Sequence, residues 1–117
     1  MHILLVEDHD DTRIGLLRLL TLFGYQVSTA DNVRAALNVL GARQLDTLIS
    51  DIGLPDGTSF ELVAEARKQQ RLKAVALTAW TADADRQRGL EAGFDEYLGK
   101  PLNFQQLLGV LGPPTVT

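Results

Sequence analysis

The sequence predicts an α/β fold in which a parallel sheet carries helices on both of its faces. Three observations predict it. Five short segments that fit strands alternate strictly with five segments whose apolar residues recur at helical spacing, which is the pattern of repeated βαβ units. The runs at 3–6 and 74–77 are apolar throughout, as expected of strands that are buried on both faces. Right-handed crossovers then place helices on both sides of the sheet.

Length and composition fit one globular domain. The chain has 117 residues, of which 45% are hydrophobic and 22% charged, with a net charge of −4. We expect the domain over 1–112 and a flexible tail over 113–117, because Gly112-Pro113-Pro114 cannot continue a helix. An acidic domain is a poor candidate for direct nucleic-acid binding. Without cysteine it has neither disulfides nor thiolate metal sites. Since no apolar stretch reaches the ~20 residues that span a bilayer, a cytoplasmic location is expected.

The first half of the chain contains three predicted strands and two predicted helices. They are a strand over 3–6, a helix over 12–23, a strand over 25–29, a helix from 33 and a strand over 45–51. Asp10 or Asp11 is expected to cap the first helix, which Gly24 ends. Asp31 or Asn32 is expected to cap the second helix, with Gly41 at its end.

The second half continues the alternation. After a turn over 54–57, a third helix begins at Thr58 or Ser59 and runs to about residue 70. A fourth strand over 74–78 leads to a helix that Thr81 caps and that ends near Gly93. A short fifth strand over 94–98 and a last helix over about 103–111 complete the domain.

Polar residues stand where four of these strands end. Glu7 and Asp8 follow the first strand and Asp51 ends the third. If those strands are neighbours, three acids meet at the carboxyl edge of the sheet, where ligands of such folds bind. Negative charges this close together raise the pKa of at least one of the carboxyl groups. A divalent cation bound among them would relieve the repulsion. Mg²⁺ fits, since it takes oxygen ligands and keeps several waters, so that two or three carboxylates suffice.

Thr78 and Lys100 end the fourth and fifth strands at the same edge. A metal ion, an ammonium group and a hydroxyl suit the three oxygens of a phosphoryl group. An aspartate among them can act as the nucleophile that accepts this group. Asp51 is the best candidate because it stands alone on the central strand, whereas Glu7 and Asp8 are better placed to hold the metal.

Four motifs carry a resemblance to a known family. They are ILLVED at 3–8, LISDIGLPDG at 48–57, ALTA at 76–79 and GLEAGFDEYLGKP at 89–101. In this order and spacing, over positions 2 to about 111, the chain resembles the receiver domain of two-component response regulators. The resemblance implies a flavodoxin-like, doubly wound five-stranded sheet with strand order 2-1-3-4-5 and five helices.

The resemblance also implies a phosphoacceptor site. Asp51 would take a phosphoryl group from a phosphohistidine on a sensor histidine kinase or a histidine phosphotransfer protein. Asp8 and Asp51 would bind Mg²⁺ directly, Glu7 would bind it through water, and the backbone carbonyl of Gly53 would be a further ligand.

A second set of implied roles concerns the switch. Thr78 and Lys100 would pair with the phosphoryl group, and Tyr97 would turn inward as Thr78 moves, which would reshape the partner surface. The bond between Lys100 and Pro101 would be cis. Two positions would tune the lifetime of the phosphoryl group: Gly53, which offers no side chain, and Trp80, whose ring would shield the group or serve a partner surface.

Three functions remain open on the residues alone. The favoured one is a phosphorelay switch that assists its own phosphorylation and dephosphorylation without being an enzyme in its own right. The alternatives are a small Mg²⁺-dependent phosphohydrolase with Asp51 as nucleophile, for which Asp56 is the only spare acid nearby, and a phosphorylation-independent scaffold. The domain would be a stand-alone regulator, part of a transcription factor or, as we favour, part of a hybrid sensor kinase, and its output is open.

Overall fold

A parallel sheet of five strands forms the centre of the computed structural model, which describes residues 1–78 and 93–114. Its strands are β1 (His2–Val6), β2 (Gln26–Ala30), β3 (Thr47–Asp51), β4 (Lys73–Thr78) and β5 (Glu96–Gly99). They lie in the order β2-β1-β3-β4-β5, and every neighbouring pair is parallel. The predicted strand order is confirmed.

Four helices pack against this sheet in the part of the chain that the structure describes. They are α1 (Asp10–Leu22), α2 (Val33–Ala42), α3 (Ser59–Gln69) and α4 (Phe104–Leu111). The helix predicted between Thr81 and Gly93, like Trp80, lies outside the described residues, apart from Gly93 itself. No described helix combines the length and the apolar character that crossing a bilayer would require.

The apolar strand residues alternate between two cores, one on each face of the sheet. On one face Leu4, Val6 and Leu48 are fully buried together with side chains of α2 and α3. On the other face the fully buried Ile3 and Leu5 join side chains of α1 and α4. Each fully buried side chain of this size contributes about 1.5–3 kcal/mol. The sheet is therefore buried on both faces, as its apolar runs predicted.

The start of α1 differs from the prediction. His9 is the N-cap residue, without a side-chain cap hydrogen bond, and Asp10 and Asp11 already lie in the first turn. The prediction that one of these aspartates caps the helix was wrong, because the helix begins earlier than its apolar spacing suggested. Their carboxylates still lie at the positive end of the helix dipole, where negative charge is favourable.

Other boundaries also differ from the prediction, among them the start of β3 at Thr47 rather than at residue 45. The Asn32 cap of α2 is confirmed, since its side chain accepts a hydrogen bond from the Ala35 amide at 2.8 Å. The helix nevertheless continues through Gly41 to Ala42, so Gly41 does not end it. Strand β5 begins at Glu96 rather than at residue 94.

A small antiparallel hairpin was predicted only as a turn. Gly53–Leu54 pairs with Gly57–Thr58 directly after β3. Strands of two residues are too short to show periodicity, which is why the pattern of the sequence did not reveal them. The hairpin matters because it carries the backbone that follows Asp51.

The chain after α4 packs beside the start of β2. The Tyr25 hydroxyl donates a hydrogen bond to the carbonyl of Gly112, and Pro113 and Pro114 line a shallow hollow with Phe23 and Tyr25. Residues 115–117 lie outside the described part of the chain. A flexible tail over 113–117 stays a prediction.

Candidate functional site

The parallel strands bring the five predicted site residues to one edge of the sheet. Glu7 and Asp8 follow β1, Asp51 is the last residue of β3, Thr78 is the last residue of β4, and Lys100 follows β5. The register aligns these ends, since Val6 pairs with Ser50 and Thr78 with Gly99. The sequence places these residues far apart, and the parallel topology brings them together.

Three carboxylates lie close to one another at this edge. Glu7, Asp8 and Asp51 each offer an oxygen within 4.8 Å of the others. Their environments differ: Glu7 is fully buried, the Asp51 side chain is 16% exposed, and Asp8 is exposed. The set therefore runs from the protein interior to the surface, open to a small ion from one side.

The ammonium group of Lys100 bridges two of these acids. Its Nζ lies 3.0 Å from Oε1 of Glu7 and 3.1 Å from Oδ2 of Asp51. Burial disfavours the charged lysine, but the hydrogen bonds and charges of the two carboxylates outweigh burial and raise the pKa of Lys100 above its ordinary value. Lys100 therefore stays protonated and partly neutralises the acids.

The attraction of Lys100 does not offset the effects of burial and of Asp51 on the Glu7 carboxylate. Burial, followed by the nearby Asp51 carboxylate, raises the pKa of Glu7 to about 7, against the lowering influence of Lys100. Its Oε2 atom is buried and accepts no hydrogen bond from any described residue. A buried carboxylate oxygen without a donor is costly. A cation or its bound water beside that oxygen would remove the cost.

The donor set at this edge is typical of a hard divalent cation. It consists of carboxylate oxygens, and the described part of the chain offers no thiolate. Mg²⁺ binds such sites through one or two carboxylates and several retained waters. The residues present therefore fit Mg²⁺, in agreement with the chemistry predicted from their types.

Arg13 fixes the loop between β1 and α1. Its Nη1 donates to the carbonyl oxygen of Glu7 at 3.0 Å and its Nη2 donates to Oδ1 of Asp10 at 2.7 Å. The loop that carries Asp8 is thereby held from the first turn of α1. Sequence reasoning did not single out Arg13, although its spacing of three residues from Asp10 is that of a helical ion pair.

The position two residues after Asp51 is open to solvent, whereas Ile52 between them is buried. The Ile52 amide donates to Oδ1 of Asp51 at 3.2 Å, which orients the carboxylate. Gly53 is exposed, and a Cβ atom at this position would have no heavy atom within 4 Å. Any side chain at position 53 would therefore occupy open space next to Asp51.

Thr78 and Tyr97 lie on the neighbouring strands β4 and β5, where Tyr97 pairs with Ala76 and Thr78 pairs with Gly99. Thr78 is 2% exposed, and its carbonyl accepts a hydrogen bond from the Lys100 amide at 2.7 Å. Tyr97 is 9% exposed, and its ring belongs to the core cluster that contains Phe94. The bond between Lys100 and Pro101 is cis, as the resemblance implied.

The family model that describes the response regulator receiver domain matches residues 3–111. The chain belongs to the response regulator receiver domain family. Receiver domains are the regulatory switches of two-component signalling rather than conventional enzymes, and the flavodoxin-like topology and the acidic strand ends agree with this membership.

Curated relatives cover nearly the whole chain. An uncharacterized 14.6 kDa protein of Leptolyngbya boryana is 39% identical over 92% of the chain and 85% of its own length. The KDP operon transcriptional regulatory protein KdpE of Escherichia coli is 32% identical over 91% of the chain and 47% of its own length. The sensor histidine kinase RcsC of Salmonella typhi is 36% identical over 92% of the chain and 11% of its own length. The chain thus spans less than half of these two named relatives.

Solved structures share the fold closely. A two-component response regulator from Clostridium difficile superposes with a TM-score of 0.91 at 26% identity, over 95% of this chain and 92% of that one. The response regulator TrrA from Thermotoga maritima, solved in complex with Mg²⁺ and BeF, has a TM-score of 0.83 at 32% identity, over 94% and 95% of the two chains.

Proposed function

We propose that Asp51 is the phosphoacceptor of this receiver domain and takes its phosphoryl group from a phosphohistidine in a Mg²⁺-dependent step. One observation carries the proposal: the Lys100 ammonium lies within 3.1 Å of Asp51 inside a group of three carboxylates. A nucleophilic carboxylate, a metal-binding set and a cation are thereby combined at the carboxyl edge of the sheet, where ligands of such folds bind.

The metal ligands we propose are Asp8 and Asp51 directly, Glu7 through water, and the backbone carbonyl of Gly53. Bound Mg²⁺ would neutralise the developing charge on the phosphoryl oxygens. The buried Oε2 of Glu7 and its raised pKa support a cation at this place. Support also comes from the Thermotoga maritima relative solved with Mg²⁺ and BeF.

The proposed transfer is a displacement at phosphorus by the carboxylate of Asp51. A carboxylate oxygen of Asp51 attacks phosphorus, the bond from phosphorus to the histidine nitrogen breaks, and the nitrogen keeps the electron pair and takes up a proton. Lys100 is already beside Asp51 and would pair with one phosphoryl oxygen. The Thr78 hydroxyl would approach a second oxygen, and a movement of Tyr97 would follow, which would pass the change to partner surfaces.

The phosphohydrolase alternative is not supported by the acid that the sequence offered for it. Asp56, the only spare acid that the sequence offered near Asp51, instead accepts hydrogen bonds from the amides of Val33 and Arg34 at 2.7 and 3.1 Å. Its carboxylate is therefore hydrogen-bonded to the start of α2. This favours a switch that holds its phosphoryl group over an enzyme that turns over a substrate.

The donor we propose is a sensor histidine kinase or a histidine phosphotransfer protein, and we propose that the transfer takes place in the cytoplasm. Both kinds of longer protein that the sequence suggested are represented among the relatives, a transcriptional regulator and a sensor histidine kinase. We retain the hybrid kinase as the proposed parent, which the match to RcsC supports.

Phosphorylation by a small donor tests the proposed function. The protein is incubated with acetyl phosphate, with and without Mg²⁺, and its intact mass is followed next to that of Asp51→Asn. We expect one phosphoryl adduct on the wild type only with Mg²⁺, and none on the variant. Steady hydrolysis of a small phosphoester such as p-nitrophenyl phosphate would instead support the phosphohydrolase.

A further inference from the structure

The carboxylate of Asp56 caps a helix to which it does not belong. Its Oδ1 accepts a hydrogen bond from the Val33 amide at 2.7 Å, and its Oδ2 accepts one from the Arg34 amide at 3.1 Å. Asp56 lies in the hairpin that follows β3, 23 residues beyond Val33. The contact therefore joins the loop after Asp51 to the start of α2.

The start of α2 already has a cap of its own. Asn32 accepts from the Ala35 amide through its side chain and from the Ala36 amide through its carbonyl. Asp56 supplies partners for the two remaining amides of the first turn, those of Val33 and Arg34. These amide bonds, together with the charge of Arg34, hold the pKa of Asp56 below its usual range, so the carboxylate stays charged and the contact persists at neutral pH.

The hairpin also lies close to α2 at a second point. Gly57 has φ +155°, and a Cβ atom added there would lie 3.6 Å from Cγ2 of Val33. The hairpin is closed by the hydrogen bond from the Ser59 amide to the Ile52 carbonyl at 3.0 Å. Gly53 lies within this closed segment, two residues after Asp51. A shift of Asp56 would therefore move the backbone of Gly53.

The end of β2, just before α2, holds the opposite side of the site as well. The carbonyl of Ala30 accepts a hydrogen bond from the amide of Glu7 at 3.0 Å. Ala30, the last residue of β2, thus contacts the segment of Glu7, and Val33, the first residue of α2, contacts the hairpin that follows Asp51. These two neighbouring contacts fix one segment relative to the other.

We propose that Asp56 is a positioning residue for metal binding: by anchoring the hairpin to α2, it sets the place of the Gly53 carbonyl relative to Asp51 and Glu7. The inference rests on the proposed function, since it assumes that the site binds Mg²⁺. It assigns Asp56 a role beyond helix capping, although it would touch neither the metal nor the phosphoryl group.

The test compares two variants that each remove a cap from α2. Asp56→Ala removes the cap together with the anchor of the hairpin, whereas the control Asn32→Ala removes a cap and leaves the anchor in place. Mg²⁺ affinity is measured by calorimetry, and exchange of the Ser59 amide is measured in the metal-free proteins. Since loss of an outer contact typically weakens metal binding by 10–100-fold, we expect about tenfold weaker Mg²⁺ binding in Asp56→Ala and wild-type affinity in Asn32→Ala.

We also expect faster exchange of the Ser59 amide in Asp56→Ala alone, because the hairpin opens without its anchor. Asp56→Asn, which keeps one acceptor oxygen, should fall between the wild type and Asp56→Ala, and it serves if Asp56→Ala does not fold. Equal Mg²⁺ affinity and equal exchange in all the proteins would reduce Asp56 to a helix cap and overturn the inference. Failure of the wild type to bind Mg²⁺ would overturn the proposed function as well, so the two failures are distinguishable.

Discussion

Glu7 is the site residue whose charged form is most unfavourable to folding in the metal-free protein. It is fully buried next to a second carboxylate, and its pKa is raised to about 7 from 4.5. A carboxyl group whose pKa is higher in the folded protein binds more protons when folded, so the unfolding free energy falls as pH rises between those two values. In the metal-free protein this shift amounts to about 3 kcal/mol at most.

Glu7→Gln should therefore stabilise the metal-free protein in a pH-dependent way. The variant mimics the protonated carboxyl, so its advantage over the wild type should grow from about pH 5 to about pH 8 by up to about 3 kcal/mol. Urea unfolding in the presence of a chelator measures it. With saturating Mg²⁺ the order should reverse, because the wild type gains more from metal binding. A pH-independent difference would show that Glu7 is not the titrating group.

Gly53 is the residue at which the lifetime of the phosphoryl group is most easily changed. A Cβ atom at this position meets no heavy atom within 4 Å, so Gly53→Leu should fold with a stability change within about 0.5 kcal/mol. Its apolar side chain should exclude water from the phosphoryl group and slow hydrolysis. Loss of the adduct after removal of the donor, followed by intact mass, measures this rate. A half-life equal to that of the wild type would contradict the expectation.

At the scale of the elements, the strands could be predicted from the sequence more securely than the helix ends. Buried strands such as β1 appear as uninterrupted apolar runs, because both of their faces are covered. Helix ends depend on local caps instead, and several candidates compete over a few residues, as Asp10 and Asp11 did with His9 at α1. The hairpin after β3 was not predicted, because strands of two residues are too short to show an alternating pattern.

The end of α2 gives a direct test at this scale. Gly41 lies inside the helix, where a Cβ atom would have no heavy atom within 4 Å. Gly41→Ala should therefore stabilise the protein by about 0.5–1 kcal/mol, since alanine loses less backbone entropy in a helix. Thermal unfolding checks this.

Gly24 provides the matched comparison for Gly41. Its φ of +98° is one that residues with a side chain rarely adopt, and a Cβ there would lie 3.4 Å from Pro114. Gly24→Ala should therefore destabilise the protein by more than about 1 kcal/mol. Destabilisation by Gly41→Ala as well would mean that α2 ends where the sequence pattern placed its end.

At the scale of the whole molecule, the parallel topology creates the site. Residues separated by up to 93 positions, as Lys100 is from Glu7, meet because every strand ends at the same edge. The residue types and the edge at which they meet could be predicted from the sequence. Contacts that depend on three-dimensional packing could not, including the Lys100 bridge to Glu7 and Asp51 and the reach of Asp56 to α2.

The identity of the phosphorylated residue tests the central claim most directly. After incubation with acetyl phosphate and Mg²⁺, the protein is treated with borohydride, which reduces an aspartyl phosphate to homoserine, and its peptides are analysed by mass spectrometry. We predict homoserine at position 51 alone, dependent on Mg²⁺. Modification at Asp8 or Asp56 instead, or an adduct that forms equally well without Mg²⁺, would contradict the account.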